Sequence, residues 1–195
     1  MKLFIFDMGS VLVTGLHILA GMADELGVDR DALKNDYWLY DRAIMDGWMK
    51  ERDYYDHLER RFGKKVEGKL FLRHFTPVVN ERLIGIIKRL KAAGYTLVVG
   101  SNTFSEHWDY MLTWEETPFR YFDRLYASHL MHRSKPEPYF FEHICDEEGV
   151  PFDETAFIDD RLNNAEAAQS LGIKTLLYSG EGLEERERAF FAPYI

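Results

Sequence analysis

The 195-residue chain is long enough for one sizeable core and a modest insert, and its 46% hydrophobic and 29% charged residues are typical of globular proteins. Its net charge of −9 argues against nucleic acid or an anionic membrane as a partner, and no apolar run approaches the ~20 residues of a membrane helix. Cys145 is the sole cysteine, and an apolar strand begins at once with no signal-peptide pattern, so we expect a cytoplasmic protein without a disulfide.

The first predicted element is a buried strand that ends in a carboxylate. Residues 3–6 form a continuous apolar run, as expected of a central parallel strand covered on both faces. Asp7 follows this run directly, at the end of the strand where open α/β sheets bind their ligands. Asp and Gly are also common in turns, so one such strand end would not indicate a site by itself.

Residues 14–78 show helical rather than strand periodicity. Apolar stripes at helical spacing cover 16–26, 33–44 and 55–62, and a glycine follows each of them. We therefore expect a small helical cap over 14–78, inserted after the first strand, and a core made of 1–13 and 79–195. Several large aromatic residues should form the core of this insert, with one or two facing the site: Tyr37, Trp38, Tyr40, Trp48, Tyr54 and Tyr55.

From residue 80 onward, predicted helices and strands alternate. Strands are expected near 95–100, 125–127, 155–158 and 173–178, with helices over about 80–94, 105–114, 134–149 and 161–171. Because alternating helices and strands form parallel sheets covered on both faces, the pattern predicts an α/β fold with a Rossmann-like core.

Polar residues follow the strands at points that should converge on one edge of the sheet. Lys135 lies in the first turn of its predicted helix, between Ser134 and Glu137 at capping-box spacing. The helix dipole disfavours a cation there, so a bound anion would compensate it. Asp159 and Asp160 would repel Asp7 unless a cation bridges them, and Mg²⁺ suits a site of oxygen ligands with a substrate phosphate.

Four motifs, in this order, resemble those of the haloacid dehalogenase superfamily over nearly the whole chain. They are Phe6-Asp7-Met8-Gly9-Ser10-Val11, Gly100-Ser101-Asn102-Thr103, Ser134-Lys135-Pro136-Glu137, and Phe157-Ile158-Asp159-Asp160 with Asn164 after it. The insert is similar to the type 1 cap of that superfamily. In detail the chain looks most like its sugar-phosphate phosphatases, the branch that includes α-D-glucose-1-phosphate phosphatase.

The resemblance implies a role for each polar residue that binds or attacks the substrate. Asp7 would attack phosphorus and become an aspartyl phosphate. Ser101 and Asn102 would bind the phosphoryl oxygens, and Lys135 would hold both the phosphate and Asp7.

The resemblance also implies a Mg²⁺ site. Asp160, the Asp7 side chain and the Gly9 carbonyl would be its protein ligands. Asp159 and Asn164 would be neighbours of the metal, through water or one layer further out.

Gly9 departs from the pattern of the superfamily, whose phosphatases mostly have a second Asp there as general acid and base. Either the leaving group is a good one, such as an anomeric phosphate, or another residue transfers the proton. His107 is the nearest alternative, although an ordinary surface histidine is the more common situation.

The predicted function is Mg²⁺-dependent hydrolysis of a phosphomonoester, with a small sugar phosphate as the expected substrate. A 2-haloacid dehalogenase is the alternative enzyme, but dehalogenases need no metal and lack the pair Asp159-Asp160. A degenerate member that binds phosphate or a partner protein is the other alternative, and the oligomeric state is left open.

Overall fold

The computed structural model describes residues 1–195, and a five-stranded parallel sheet lies at its centre. Its strands are β1 (Leu3–Phe6), β4 (Thr96–Ser101), β5 (Arg124–Ala127), β6 (Thr155–Asp159) and β7 (Lys174–Leu177). Two short strands, β2 (Val13–Thr14) and β3 (Val78–Val79), lie outside this sheet. Their spatial order is β5-β4-β1-β6-β7, with every pair parallel. Asp7 therefore leaves the middle strand between the ends of β4 and β6, which confirms the predicted α/β class.

Eleven α-helices surround the sheet or form the insert, and no helix of the protein is long and apolar enough to cross a membrane. They are α1 (Ile18–Leu26), α2 (Arg30–Tyr37), α3 (Asp41–Met45), α4 (Glu51–Phe62), α5 (Leu70–Arg73), α6 (Glu81–Ala92), α7 (Ser105–Thr113), α8 (Ser128–Met131), α9 (Pro138–Glu148), α10 (Leu162–Ser170) and α11 (Leu183–Phe191). Two short 3₁₀ helices cover Pro118–Tyr121 and Phe152–Glu154.

Alternate residues of β1 pack into two different hydrophobic clusters, one on each face of the sheet. Phe4 and Phe6 belong to the larger cluster, which extends into the insert, and Leu3 and Ile5 belong to a smaller cluster with Phe141 of α9. All four strand residues are completely buried, as the uninterrupted apolar run predicts.

Helices α1 to α5 lie between two short strands that the sequence did not reveal, β2 (Val13–Thr14) and β3 (Val78–Val79). These strands pair antiparallel, so the chain enters and leaves the helical stretch at adjacent points. The pairing supports the predicted cap over 14–78, whose separate status stays a prediction. The stripe over 33–44, predicted as one helix, is two helices separated by a turn at 38–40. Helix α5 was missed because four residues show no periodicity.

The helix after Lys135 begins later than the sequence predicts. Glu137 is the N-cap of α9 and Pro138 takes the first helical position, where proline is favoured. The Ser134 hydroxyl has no hydrogen-bond partner, so the predicted capping box does not form. Lys135 thus precedes the helix, and the predicted conflict with the helix dipole was wrong.

Candidate active site

A cavity of about 510 Å³ opens at the carboxyl edge of the parallel sheet. Residues from four chain segments that follow sheet strands line it together, namely Asp7, Asn102, Lys135 and Asp160. Ser101 and Asp159 lie behind the residues that line the cavity, and their exposed fractions are 1% and 0%. The structure therefore brings the predicted site residues to one place.

Lys135 is a buried cation whose three ammonium protons are all engaged within the protein. Its Nζ donates to Asp7 Oδ1 at 2.6 Å, to Asp159 Oδ2 at 2.8 Å and to the Gly100 carbonyl at 2.8 Å. Burial disfavours this charge, but the carboxylates of Asp159 and Asp7 hold the pKa of Lys135 above its usual value. Lys135 thus supplies a permanent positive charge beside Asp7.

Asp7 has one carboxylate oxygen bound and one available. Its backbone N–H donates to the Ile158 carbonyl at 2.9 Å, which fixes the residue against β6, and Lys135 occupies Oδ1. No hydrogen bond within the protein uses Oδ2, so this oxygen is free to attack a substrate or bind a metal. Burial raises the pKa of Asp7 to about 7, with Asp159 and Asp160 adding to the rise and Lys135 opposing it.

Asp159 holds other site residues and has no free oxygen for a metal. Its two carboxylate oxygens accept hydrogen bonds from Lys135 Nζ, from the Arg161 N–H at 2.8 Å and from Asn164 Nδ2 at 3.0 and 3.2 Å. Direct coordination of a metal by Asp159 does not fit this geometry, so of the positions predicted for it near the metal only that of a more distant neighbour is compatible. The structure places Asp159 beneath the site, where it orients Lys135 and Asn164.

Four oxygen-bearing groups near the cavity remain available for a cation. They are Asp7 Oδ2, the Asp160 carboxylate, the Gly9 carbonyl and Asn164 Oδ1; the last is buried without a hydrogen-bond partner. No three His, Cys, Asp or Glu side chains surround one metal position. A set of two carboxylates and neutral oxygens fits Mg²⁺, which keeps several waters and binds few carboxylates. Burial and Asp159 raise the pKa of Asp160, and a bound cation would reverse this effect.

The Asn102 side chain positions Lys135, in addition to any contact with substrate. Its Oδ1 accepts from the Lys135 N–H at 2.8 Å, and its Nδ2 donates to the Lys135 carbonyl at 2.8 Å. The Ser101 hydroxyl makes only a 3.5 Å contact with the Asn102 carbonyl. Asn102 therefore ties the end of β4 to the lysine, a function that the sequence did not reveal.

The structure adds binding groups that sequence reasoning missed. The backbone N–H groups of Met8, Gly9 and Asn102 take part in none of the backbone hydrogen bonds of the protein. The Thr103 hydroxyl lies at the cavity, buried and without a partner. Free N–H groups and a lysine beside the same cavity suit an anion. Thr103 stands in the Ser-Asn-Thr motif, which was its only signal in the sequence.

The structure contains no evident proton donor at position 9. A Cβ added to Gly9 would lie 3.1 Å from Leu16 Cδ1 and 3.8 Å from Asp7 Oδ2, so an apolar side chain occupies the neighbouring space. His107 lines the cavity but is buried, which corrects the expectation of a surface histidine. Its Nε2 lies 3.3 Å from the Phe71 carbonyl, and burial lowers its pKa to about 4, so the ring is neutral at pH 7.

Two of the six large aromatic residues of the insert line the cavity, in agreement with the expectation that one or two would face the site. Tyr37 and Trp38 are in its wall, whereas Tyr40 and Trp48 are not. Tyr40 packs against Tyr54 and His57, and the exposed Trp48 stacks on His132 at 4.5 Å. Among these aromatic residues, the insert thus contributes those at the end of α2 to the site.

The chain is similar to curated proteins of the genus Aspergillus. A sesquiterpene phosphatase, astK of Aspergillus oryzae, is 27% identical over 183 residues, which cover 88% of this chain and 87% of the relative. Drimenol cyclase drtB of Aspergillus calidoustus is 24% identical over 146 residues, 72% of this chain. The match spans only 28% of the length of the cyclase.

Solved structures share the fold. A HAD-like family hydrolase from Porphyromonas gingivalis has a TM-score of 0.80 at 24% identity, covering 97% of this chain and 98% of its own. A HAD-family enzyme from Bacteroides thetaiotaomicron, solved with magnesium and inorganic phosphate, has a TM-score of 0.76 at 24% identity, covering 90% and 93%. The sequence profile of the haloacid dehalogenase-like hydrolases matches residues 1–172. The chain belongs to the haloacid dehalogenase-like hydrolase family.

Proposed function

We propose that the protein is a Mg²⁺-dependent phosphatase that acts through an aspartyl phosphate on Asp7. The observation that carries this proposal is the asymmetric environment of the Asp7 carboxylate. Lys135 binds Oδ1 at 2.6 Å and leaves Oδ2 open to the cavity. One oxygen is thus fixed while the other is free, as an attacking carboxylate requires.

The residues around Asp7 hold the phosphoryl group and its charge. The free N–H groups of Met8, Gly9 and Asn102 and the Thr103 hydroxyl would donate to the phosphoryl oxygens. Lys135 would neutralise charge that develops on the nucleophile, because its ammonium group contacts Asp7 directly. Water would then attack the aspartyl phosphate and release inorganic phosphate, which returns Asp7 to its carboxylate form.

The available oxygens of Asp7, Gly9, Asp160 and Asn164 would hold the Mg²⁺ ion. When bound, the ion supplies positive charge that orients the phosphoryl group and offsets its negative oxygens. The free Asp160 carboxylate supports this assignment over a dehalogenase, which needs no metal.

The organic part of the substrate is less constrained than the reaction. A small sugar phosphate is the expectation from the motifs, and it stays a prediction. The name of the Aspergillus oryzae relative adds a terpenoid phosphate as a second class. Both classes supply the same phosphoryl group to the site.

The test of the reaction is Mg²⁺-dependent release of phosphate from an aryl phosphate by the wild type and by Asp7→Asn. The amide is a poor nucleophile, so we expect a loss of at least about 10³-fold in kcat with a retained fold. Asp153→Asn, an exposed change outside the cavity, is the control and should keep full activity. Substantial turnover by Asp7→Asn would exclude the aspartyl phosphate. No turnover by wild type would favour a degenerate binding protein.

A further inference from the structure

The part of the cavity wall that comes from the insert is mainly apolar. Its apolar members lie on α1 and the segment before it, at the end of α2 and on α3: Leu16, Ile18, Leu19, Ala20, Tyr37, Trp38 and Met45. Met8 and Phe104 of the core extend this surface. Apart from the phenol of Tyr37 and the indole N–H of Trp38, the polar side chains that the insert adds are His17 and Lys34, and both are exposed to solvent. The wall therefore suits an organic group with few polar atoms.

A sugar would leave many of its hydroxyl groups without partners against this wall. Most polar residues of the cavity belong to the core loops that hold the phosphoryl group and the cation. Each buried hydroxyl without a hydrogen bond weakens binding by about one order of magnitude. A hydrocarbon chain gains roughly three- to fourfold in affinity for each buried methylene group. The cavity of about 510 Å³ is within the range of small-molecule sites.

The absence of an acid at position 9 restricts which leaving groups the site can expel. Leu16 lies beside Gly9, and the Nε2 atom of His107 faces the Phe71 carbonyl. Without a proton donor, the leaving group has to depart as an anion. An alkoxide from an apolar alcohol is strongly basic, whereas a phosphate monoester has a second pKa of about 6 and is a stable anion at neutral pH. A phosphoanhydride bond therefore fits this site better than an alkyl ester bond.

Two cations beside the cavity are available for a second phosphate. Lys34 of α2 and Arg161, which follows Asp160, both line it. Neither side chain forms a salt bridge, although the Arg161 charge acts on the neighbouring carboxylates of Asp41 and Asp160. What distinguishes these two side chains is their place at the cavity, where the third cation, Lys135, is already bound to Asp7 and Asp159. An unpaired lysine on the insert and an unpaired arginine on the core face the same cavity and would attract a substrate with more than one anionic group.

We propose that the substrate is a diphosphate of an apolar alcohol, such as a prenyl or long alkyl diphosphate; this rests on the proposed function. Asp7 Oδ2 forms a bond to the terminal phosphorus, and the bond from that phosphorus to the bridging oxygen breaks. The alkyl monophosphate leaves as an anion with the bonding electron pair. Water then cleaves the aspartyl phosphate, so one water is consumed and inorganic phosphate is released with its proton.

The test compares four substrates that vary the organic group and the phosphate chain independently. They are a fifteen-carbon prenyl diphosphate, the matching prenyl monophosphate, ADP and glucose 6-phosphate, each with Mg²⁺ and the full-length protein. We expect kcat/KM for the prenyl diphosphate to exceed each of the others at least about tenfold, with prenyl monophosphate accumulating. Equal or faster hydrolysis of ADP would contradict the inference that the organic group of the substrate is apolar. Equal or faster hydrolysis of either monophosphate would contradict the inference that the substrate is a diphosphate.

Two pairs of variants assign the effect to the cavity. Ala20→Leu, an exposed change that narrows the cavity, should lower kcat/KM for the prenyl diphosphate about tenfold and for ADP less than twofold. Ala92→Leu, also on an exposed helix position but outside the cavity, is its control. Lys34→Ala should raise KM for diphosphates about tenfold and for monophosphates less than twofold, and Lys64→Ala is the matched control. The proposal would be contradicted if Ala20→Leu affected the prenyl diphosphate and ADP equally. It would also be contradicted if Lys34→Ala affected diphosphates and monophosphates equally.

Phosphate release tests the phosphatase activity, and substrate binding tests the substrate class separately. If none of the four substrates releases phosphate, the proposed phosphatase activity is wrong. Binding still tests the substrate class, since the Asp7→Asn variant can be melted with each substrate and Mg²⁺. We expect the prenyl diphosphate to raise its Tm more than ADP at equal concentration. A larger shift with ADP would refute the apolar diphosphate whether or not the protein is an enzyme.

Discussion

At the scale of single residues, Gly9 sets the chemistry that the site can perform. A Cβ atom added at Gly9 would lie 3.1 Å from Leu16 Cδ1. The end of the flexible Leu16 side chain would have to move by a few tenths of an ångström to admit an Asp side chain. Gly9 has an ordinary negative φ, so the backbone itself allows a side chain. We therefore expect Gly9→Asp to fold and to introduce a general acid.

The first prediction is that wild-type kcat/KM falls steeply as the pKa of the leaving group rises, and that Gly9→Asp flattens this dependence. An acid at position 9 should accelerate poor leaving groups by about 10²-fold or more and good ones little. The measurement is kcat/KM for aryl and alkyl phosphates of graded leaving-group pKa. Gly9→Asn is the matched control, because it adds similar volume without the acid. A flat wild-type profile with rate-limiting chemistry would indicate another donor, and His107→Ala would test it.

The second prediction concerns the pH dependence of stability and the raised pKa of Asp7. This pKa rises from 3.8 to about 7 on folding because the carboxyl is buried. Folded protein therefore retains the Asp7 proton over a pH range in which unfolded protein has lost it. The contribution of Asp7 to the free energy of unfolding falls as the pH rises from about 4 to 7, by roughly 2–4 kcal/mol.

Asp7→Asn removes this titration. In metal-free buffer, its Tm relative to wild type should increase from pH 5 to pH 8, by about 2–4 °C for each kcal/mol. Saturating Mg²⁺ should reduce the difference, because a bound cation keeps the carboxylate ionised. A Tm difference that is constant with pH would show that Asp7 does not carry the proton.

At the scale of elements, Glu51 connects the insert to the loop that follows β4. Its Oε1 accepts from the Ser105 hydroxyl at 2.7 Å and from the Glu106 N–H at 3.0 Å, so a residue of α4 caps the N-terminus of α7. No side chain within α7 performs this function. The contact fixes the direction in which the chain leaves Ser101 and Asn102.

The third prediction is that Glu51→Ala destabilises the protein by about 1–2 kcal/mol, the usual cost of a lost N-cap. The corresponding fall in Tm is about 2–8 °C. Activity should also fall, mainly through KM, because the Asn102 loop is no longer fixed. Glu59→Ala, on the exposed face of the same helix, is the control. An unchanged KM alongside a lower Tm would limit Glu51 to a structural role.

The sequence was most informative where periodicity and chain order decide the structure. The apolar run at 3–6 predicted the buried central strand, and the glycines at 27 and 63 end helices with positive φ values of 62° and 67°. Asp7, Lys135 and Asp160 meet because parallel strands end at one edge of the sheet. These elements depend on local pattern and general topology.

The elements that the sequence did not predict depend on contacts between distant segments. The β2–β3 pair joins residues more than sixty positions apart and is too short to show alternation. Burial of His107 comes from the insert, since its ring stacks on Phe75 at 3.9 Å. Asp159 resembles a metal ligand in sequence, and only the positions of Lys135 and Asn164 show that its oxygens are occupied. Such assignments require the tertiary structure.

At the scale of the whole molecule, the site concentrates negative charge in a protein that is already acidic. The formal net charge is −9, and Asp7, Asp159 and Asp160 share one region with a single fully buried cation, Lys135. Burial raises the pKa values of Asp7 and Asp160, and repulsion from Asp159 adds to the rise. Binding of a divalent cation should relieve this repulsion and stabilise the folded state.

The fourth prediction is therefore that Mg²⁺ raises Tm by roughly 5–10 °C at a hundred times its Kd, since such a ligand contributes about 2.7 kcal/mol. The shift should be larger at pH 8 than at pH 6, because protons compete with the metal for the carboxylates. Asp160→Ala should lose most of this response, since its carboxylate receives no hydrogen bond from another residue and is free to bind the ion. Asp153→Ala, an exposed change at the opposite end of β6 from Asp160, should keep it. If Mg²⁺ raises the Tm of both variants equally, the metal binds outside the cavity. Protons alone would then balance the repulsion among these carboxylates.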